Sequence, residues 1–332
     1  MKAIRQYEFG GPEQLRFEER PDPEPGSAQV RIAVEAAGVH LIDTSIRRGV
    51  QTGAFPLPSL PMTPGREVAG AVESLGSDVD PAWQGRRVVV HLGLASGGYA
   101  SMAIANVADL FPLAGHVGAA EAVAMVGTGR TALGILEAAE LTSDDVVLVT
   151  AAAGGVGALL VQAAKRAGAT VVGVAGGQAK VDTVAMLGAD VAIDSSVGEW
   201  APEPWSGRVR AALGNRTVTV ALDGIGGEAG RAAFELVAPG GRMVVFGWAS
   251  GSPMRLGIDD LMANGVRFTP GIGARVVTRA GGVRGLSADA LDALATAQLT
   301  PLVHPPFPLA DAADAHRAIE SRTTTGKVVL IP

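Results

Sequence analysis

The sequence predicts an α/β protein in which a doubly wound parallel sheet stands beside a β-rich domain. Three observations predict it. A short apolar run, Val146 to Val149, turns through small residues, Ala151 to Gly157, into a stretch whose apolar positions Val156, Leu159, Leu160 and Ala163 recur at helical spacing. From about 126 to 270, strand-like and helix-like stretches alternate. From 1 to about 125, the strand-like runs are punctuated by clusters of Pro and Gly. A chain of 332 residues is long enough for two domains, each with its own core.

The elements follow in order. Val30 to Ala37 and Arg86 to His91 read as strands, with turn chemistry at Pro21 to Gly26 and Phe55 to Gly65. Glu121 to Ala139 reads as a helix, broken by Gly127 and Gly129, that links the two domains. Strands are expected at 146–151, 170–175, 191–194, 218–222, 242–247 and 266–269, with helices at 178–187 and 226–237 between them. Six strands joined by crossover helices describe a doubly wound sheet. The segment 200–217, with Pro202, Pro204, Trp200 and Trp205, has a poorer pattern and reads as an irregular crossover. After residue 271 come a basic, glycine-rich loop (Arg275 to Gly285), a helix (Ser287 to Ala297), a turn at Pro305-Pro306, a helix (Ala310 to Ser321) and a final strand (Lys327 to Ile331).

Composition removes several function classes. The formal net charge of −6 and the scattered basic residues argue against a nucleic-acid partner, which leans on a basic surface. There is no cysteine, which excludes disulfides, thiolate nucleophiles and cysteine-ligated zinc. The apolar runs are short and broken by Gly and Pro, so no transmembrane helix is expected. The N-terminus, MKAIRQYEFG, has no apolar core and does not read as a signal peptide. These features together point to a cytoplasmic protein. Neither a Ser/His/Asp order, a P-loop nor a paired catalytic carboxylate stands out, as suits chemistry carried by a cofactor.

The turn at 151–157 carries the first functional signal. Glycines after a strand let the backbone approach a pyrophosphate, and the helix N-terminus offers unpaired N–H groups. Against the G-x-G-x-x-G template, Ala152 stands at the first Gly, while Gly154 and Gly157 fit the other two. An ordinary tight strand–helix turn is the alternative. Val171 to Ala175, a second strand after the helix, supplies the βαβ context. Asp144-Asp145, Leu148, Ala152-Ala153-Gly154-Gly155, Gly157, Gln162 and Lys165 stand at the spacing of a long signature. On these residues, and on the ending ADAHRAIESRTTTGKVVLIP, the chain resembles the zinc-independent quinone oxidoreductase/zeta-crystallin family of the medium-chain dehydrogenase/reductase superfamily.

The resemblance implies a Rossmann domain at 126–270. It also implies a discontinuous, GroES-like, partly opened barrel at 1–125 and 271–332, with the nucleotide bound in the cleft between them. It raises the question of zinc, because zinc-dependent relatives carry a Cys ligand in G-x-C-H-x-D and a His ligand in G-H-E. Here the matching stretches are Gly38-Val39-His40-Leu41-Ile42-Asp43 and Gly65-Arg66-Glu67. An Arg cannot ligate a metal, and no metal site is expected. His40 stands where the family usually has Asn beside the nicotinamide. It could donate to a carbonyl oxygen and supply a proton, or it could simply cap the turn or bond Asp43. Asp43 matches the family Asp, which holds this loop or contacts substrate. The Tyr that often follows two residues later is Ser45 here.

Cofactor choice has its own argument. An NAD enzyme should place an acid at the end of the second strand, but here that strand ends Val174-Ala175-Gly176-Gly177, followed by Lys180. A Lys beside small residues suits the 2′-phosphate of NADPH, and the resemblance implies the same; a solvated helix Lys is the alternative. Ser195 replaces a family Tyr, and Asp194 puts an acid next to it. The resemblance further assigns Thr131 to the nicotinamide end and Gly155 and Val156 to the pyrophosphate. It places Gly224 and Ile225 at the end of the fourth strand, and Phe246 and Gly247 beside the nicotinamide. Lys327 matches a family Lys facing the cleft. A packing or turn role is the alternative for each.

The expectation is therefore an NADPH-dependent, zinc-independent reductase passing a hydride to a small-molecule quinone. A reductase of a C=C bond conjugated to a carbonyl (an enone) is the nearest alternative, and an NADPH-binding protein with a sensing or structural role is the alternative of another class. The resemblance implies a homodimer, or a homotetramer built from dimers.

Overall fold

The computed structural model describes residues 1–51, 56–93, 96–196, 204–271, 273, 276 and 278–332. The chain divides into two units, Met1–Gly129 with Ser287–Pro332, and Arg130–Leu286.

The first unit is built around one long strand. β1 (Lys2–Arg5) and β2 (Arg16–Glu19) form a small antiparallel pair. β3 (Gln29–Val39) buries Val30, Ile32 and Val34 by alternation, and every residue from Ala36 to Val39. It leads directly into the short helix α1 (Leu41–Arg47). β3 pairs antiparallel with β4 (Glu67–Leu75), and β4 in turn with β5 (Arg87–His91). β6 (Met102–Asn106) pairs with β3, and β7 (Phe111–Pro112) with β5. Two register shifts between β3 and β4, at Arg31/Ile32 and Val34/Ala36, bend the sheet. Ile4, Val30, Ile32, Val68, Val88, Tyr99 and Val328 share its core.

The helix expected at Glu121 to Ala139 is not broken at its glycines. α2 (Ala119–Val123) continues through π-type turns, Ala124–Gly129, into α3 (Arg130–Ala139). The glycine at 127 serves close approach instead of chain breaking. A Cβ there would lie 1.6 Å from Oε1 of Glu67.

The second unit contains β8 (Val146–Val149), α4 (Gly155–Arg166), β9 (Thr170–Ala175), α5 (Gln178–Met186), β10 (Val191–Asp194), α6 (Trp205–Leu213), β11 (Val218–Asp223), α7 (Gly227–Leu236), β12 (Val237–Val245), α8 (Ile258–Asn264) and β13 (Arg267–Pro270). Its six strands run in the order β10-β9-β8-β11-β12-β13, and every neighbouring pair is parallel. The order reverses between β8 and β11, the crevice where open α/β sheets bind ligands. Two expectations are corrected here. Much of the supposed irregular crossover is α6, whose Trp205, Val209 and Leu213 pack with Val146, Leu148 and Val218, whereas 200–203 lie outside the described residues. β12 begins five residues earlier than 242, because Val237 already pairs with Val218 before a register shift.

The chain then returns to the first unit. The glycine-rich stretch is helical sooner than expected: α9 runs Gly282–Ala295, while Arg275 lies outside the described residues. β14 (Phe307–Pro308), α10 (Ala312–Glu320) and β15 (Val328–Ile331) follow. β15 closes the sheet by pairing antiparallel with β3.

Candidate active site

Strand register assembles the charged end of the first unit. Val328 pairs with Val39, so the next step along the two chains sets Lys327 against His40. Ala37 pairs with Val68, which carries Glu67 alongside Gly38, and Glu67 itself pairs with His91. Four adjacent strands thus deliver Lys327, His40, Glu67 and His91 to one edge.

Three of these groups form a tight triangle. His40 Nε2 lies 2.7 Å from Glu67 Oε2. Lys327 Nζ lies 2.9 Å from the same oxygen and 2.8 Å from His40 Nε2. Glu67 is fully buried and the Lys327 side chain is 4 % exposed, whereas the His40 ring is 23 % exposed. Burial alone would raise the Glu67 pKa, but His40 and Lys327 beside it hold the carboxyl well below its usual value. Its other oxygen, Oε1, is buried without a hydrogen-bond partner. The pair is costly to break, because removing one partner leaves a charge buried alone.

A second network holds the loop after β3. Asp43 Oδ2 accepts from the His40 backbone N–H at 2.8 Å and from the Tyr99 hydroxyl at 3.1 Å. Arg66 Nη2 sits 3.5 Å from Asp43 Oδ1. Tyr99 Oη is 3.1 Å from His316 Nε2, and Arg47 Nη1 is 3.3 Å from His316 Nδ1. Arg47 also donates to Glu320 at 2.7 Å. Because a guanidinium only donates, His316 Nδ1 must accept, Nε2–H must donate to Tyr99, and Tyr99 must donate to Asp43. The direction of the whole chain is fixed by its two ends. Burial holds His316 down to about 4, so it is neutral near pH 7. Burial and the adjacent Asp43 push the Tyr99 hydroxyl well above its usual value.

The position matching a family zinc ligand, Arg66, is therefore turned onto Asp43. Among the described residues no group of three His, Cys, Asp or Glu could hold a metal ion. Lys327, placed by resemblance with the cofactor residues, has its ammonium on Glu67 and His40. Tyr99 and Arg47 escaped the sequence reading, and Glu67, quoted only within the Gly65-Arg66-Glu67 stretch, and His316, isolated in sequence, were given no role there. Only strand pairing and helix packing gather them around His40 and Asp43, with Arg47 and His316 269 residues apart in sequence.

The second unit gathers the remaining residues at its strand ends. Gly154 precedes α4 in extended conformation, and Gly155, Val156 and Gly157 form the first helical turn, whose N–H groups have no partner within the helix. A Cβ on Gly157 would lie 2.2 Å from the Ala151 carbonyl oxygen, so the helix can approach the strand only with glycine there. Gly176 and Ser195 meet beyond β9 and β10: a Cβ on Gly176 would be 3.8 Å from Ser195 Oγ. Lys180 stands in the first turn of α5. Asp194 is engaged with the backbone, accepting from Gly177 N–H at 2.7 Å and from Ser196 N–H at 2.8 Å. Arg208 donates to its carbonyl oxygen.

At the switch point, buried Asp223 accepts from Thr150 Oγ1 at 2.6 Å and from the N–H groups of Ile225 and Gly226 at 3.1 and 3.0 Å. This fixes the turn carrying Gly224 and Ile225. A Cβ on Gly224 would meet Phe246 Cε2 at 2.4 Å, and one on Gly247 would lie 3.2 Å from Gly224 O, so these four residues form one cluster. Thr131 lies in the first turn of α3. A cradle of backbone amides with room only for glycine, next to a Lys and a Ser at the adjacent strand ends, fits a dinucleotide with a 2′-phosphate.

The chain is similar to known proteins over its full length. The family model described as "Alcohol dehydrogenase GroES-like domain" matches residues 26–131, and that described as "Zinc-binding dehydrogenase" matches 155–287. A quinone oxidoreductase of Pseudomonas aeruginosa is 30% identical, over 100% of this chain and 99% of its own. A 2-haloacrylate reductase of a Burkholderia species is 30% identical, over 98% of this chain and 97% of its own. The crystal structure of Escherichia coli quinone oxidoreductase complexed with NADPH superimposes with a TM-score of 0.86 at 29% identity, covering 100% of both chains.

Proposed function

Because this chain belongs to the quinone oxidoreductase branch of the medium-chain dehydrogenase/reductase superfamily, we propose that it is a cytoplasmic, NADPH-dependent, zinc-independent reductase that passes a hydride to a quinone. The observation that carries the reading is the His40–Glu67–Lys327 triangle with Arg66 turned onto Asp43. Paired organic charges fill the place where a zinc-dependent relative keeps its ligands. The first unit, Met1–Gly129 with Ser287–Pro332, is the substrate half, and Arg130–Leu286 is the cofactor half.

NADPH, when bound, supplies the hydride. The N–H groups of Gly155, Val156 and Gly157 receive its pyrophosphate, on a turn that Gly154 closes by donating to the Ala151 carbonyl oxygen at 2.9 Å. Lys180, with Gly176 and Ser195, holds the 2′-phosphate, and Asp194 is kept from opposing it by its own bonds to Gly177 and Ser196. Thr131, Gly224, Ile225, Phe246 and Gly247 line the nicotinamide end. In the substrate half, His40 donates the proton that the reduced substrate needs, and Asp43 holds the loop that carries it.

Reduction of an activated C=C bond is the second reading. It is favoured by the likeness to a 2-haloacrylate reductase and uses the same hydride and the same proton donor. A homodimer is proposed through the edge strand β13 and the exposed residues of α8.

The test pairs binding with turnover. NADPH and NADH titrations followed by fluorescence should show NADPH preference. Lys180→Ala should weaken NADPH about 10- to 100-fold and leave NADH unchanged, as expected for the loss of one charge-assisted phosphate contact. Oxidation of NADPH with a quinone, and with an enone or 2-haloacrylate in parallel, decides between the two substrates. Tight NADPH binding with neither consumed would overturn both readings and leave a binding protein.

A further inference from the structure

The helix that follows His40 is held at both of its ends by one face of α10. Asp43 and Arg47 stand one turn apart on α1, and both are buried. His316 and Glu320 stand one turn apart on α10. Arg47 spans the second pair: Nη1 lies 3.3 Å from His316 Nδ1, and Nη2 donates to Glu320 at 2.7 Å. Tyr99 joins the other ends, with its hydroxyl 3.1 Å from both His316 Nε2 and Asp43 Oδ2. Tyr99 has little room to adjust. Its N–H donates to the Pro64 carbonyl oxygen at 2.8 Å, and its own carbonyl accepts from Ile4 at 2.9 Å. Its ring is fully buried against Gly65, where a Cβ would lie 2.3 Å from Tyr99 Cδ1. A hydroxyl has one hydrogen, so the tautomer of His316 decides where Tyr99 directs it. With the imidazole proton on Nε2, Tyr99 donates to Asp43. With that proton on Nδ1, the N–H would face the Arg47 guanidinium, which also only donates, and Tyr99 would turn to Nε2 and leave Asp43. Arg47 therefore selects the first arrangement. Asp43 Oδ2 then receives the Tyr99 hydroxyl together with the His40 backbone N–H at 2.8 Å, while Arg66 draws on Oδ1 at 3.5 Å.

We propose that Arg47, His316 and Tyr99 are positioning residues for His40, acting in series through Asp43. The proposal rests on the functional reading above, in which His40 delivers the proton, and deepens it. The effect passes from Arg47 to His316, to Tyr99 and to Asp43, and reaches His40 through its backbone N–H, where β3 gives way to α1. Without the Tyr99 hydroxyl, Arg66 pulls the Asp43 carboxylate unopposed, and the His40 backbone loses the acceptor that fixes it. A displacement of about 1 Å at a reacting group costs up to about 100-fold in rate. NADPH affinity should not follow, because its residues belong to the other unit, Arg130–Leu286. Links in series also fail together, so breaking a second link after the first costs little more.

The wild-type protein gives the first test without turnover. Nitrogen-15 NMR of its five histidines should show His316 neutral at pH 7 with its proton on Nε2, and the His40 amide should be protected from hydrogen exchange. A His316 proton on Nδ1 would overturn the proposal. The second test is Tyr99→Phe, which keeps the ring and removes only the hydroxyl. It should lower kcat about 10- to 100-fold, leave quinone KM and NADPH affinity within about twofold, and speed exchange of the His40 amide. Wild-type kcat in a folded Tyr99→Phe protein, checked by NADPH titration and thermal melt, would overturn the proposal. His316→Leu should be equally slow, because it fills space and offers no hydrogen bond. His316→Gln, whose amide can donate to Tyr99 and accept from Arg47, should recover most of the rate. The double variant Tyr99→Phe/His316→Leu should be no slower than either single variant. Losses that multiply would mean two independent structural defects and would also overturn the series. If the wild-type protein reduces neither substrate class, the functional reading fails. The His316 tautomer and the His40 amide exchange in Tyr99→Phe then still decide whether the series is built as proposed.

Discussion

His316 shows how a buried, neutral imidazole makes stability depend on pH. Its folded pKa lies near 4, against an ordinary value of 6.5 in the unfolded chain. Between these values the unfolded chain takes up a proton that the folded chain refuses, so stability falls as pH drops through this window and levels off below it. From pH 6.5 to 5 the loss should be about 1.5 kcal/mol, since at pH 6.5 the unfolded imidazole is already half protonated. Urea unfolding at the two pH values should show it, and His316→Asn should flatten the slope. The same side chain explains what the sequence could and could not disclose. His40 and Asp43 were legible because a short motif carries both. Their contacts with partner residues were not. Glu67 reaches His40 through β3–β4 register, Lys327 through β15–β3 register, and His316 reaches Asp43 only through Tyr99. A motif records spacing along the chain, whereas these contacts depend on pairing between distant segments.

The strand–turn–helix at β8 and α4 was legible almost completely, because a buried apolar strand, a glycine turn and a helical period are all local signals. It also makes a sharp prediction. Gly157→Ala would set a Cβ 2.2 Å from the Ala151 carbonyl oxygen and push α4 off the strand. NADPH affinity should fall at least tenfold, and stability by about 1–3 kcal/mol as for overpacking, with both read by cofactor titration and thermal melts. Elements whose form depends on tertiary partners were read less well. Gly127 and Gly129 looked like helix breakers, yet the chain stays helical in π-type turns because Gly127 lets Glu67 sit against the backbone. α6 looked irregular because its apolar residues serve only one face and two prolines precede it. β12 began early because a register shift separates its first pair from the rest.

The doubly wound parallel sheet followed from the alternation of elements, while its strand order, β10-β9-β8-β11-β12-β13, is visible only in the pairing. β13 lies at the sheet's edge with Phe268 40 % exposed. On the preceding α8, Ile258 and Met262 stand one turn apart at 75 % and 78 % exposed. Large apolar side chains this open, beside a strand paired only on its β12 side, suit burial against the same surface of a partner. Ile258→Glu with Met262→Glu should convert a dimer to a monomer in sedimentation velocity while leaving NADPH binding in place; a wild-type monomer would refute the interface.

The division of the chain also sets an order in time. The cofactor half is one uninterrupted run of βα units, whose neighbours in space are mostly neighbours in sequence. The substrate half must join two stretches of chain, and its Lys327–His40 contact closes a span of 287 residues. Closing so long a loop forfeits much chain entropy before any contact compensates it, so such pairings form late. Under the proposed function, a molecule caught partway through folding would hold its nicotinamide cofactor and have no means of delivering a proton. Its reducing power would stay idle until the last strand was laid down.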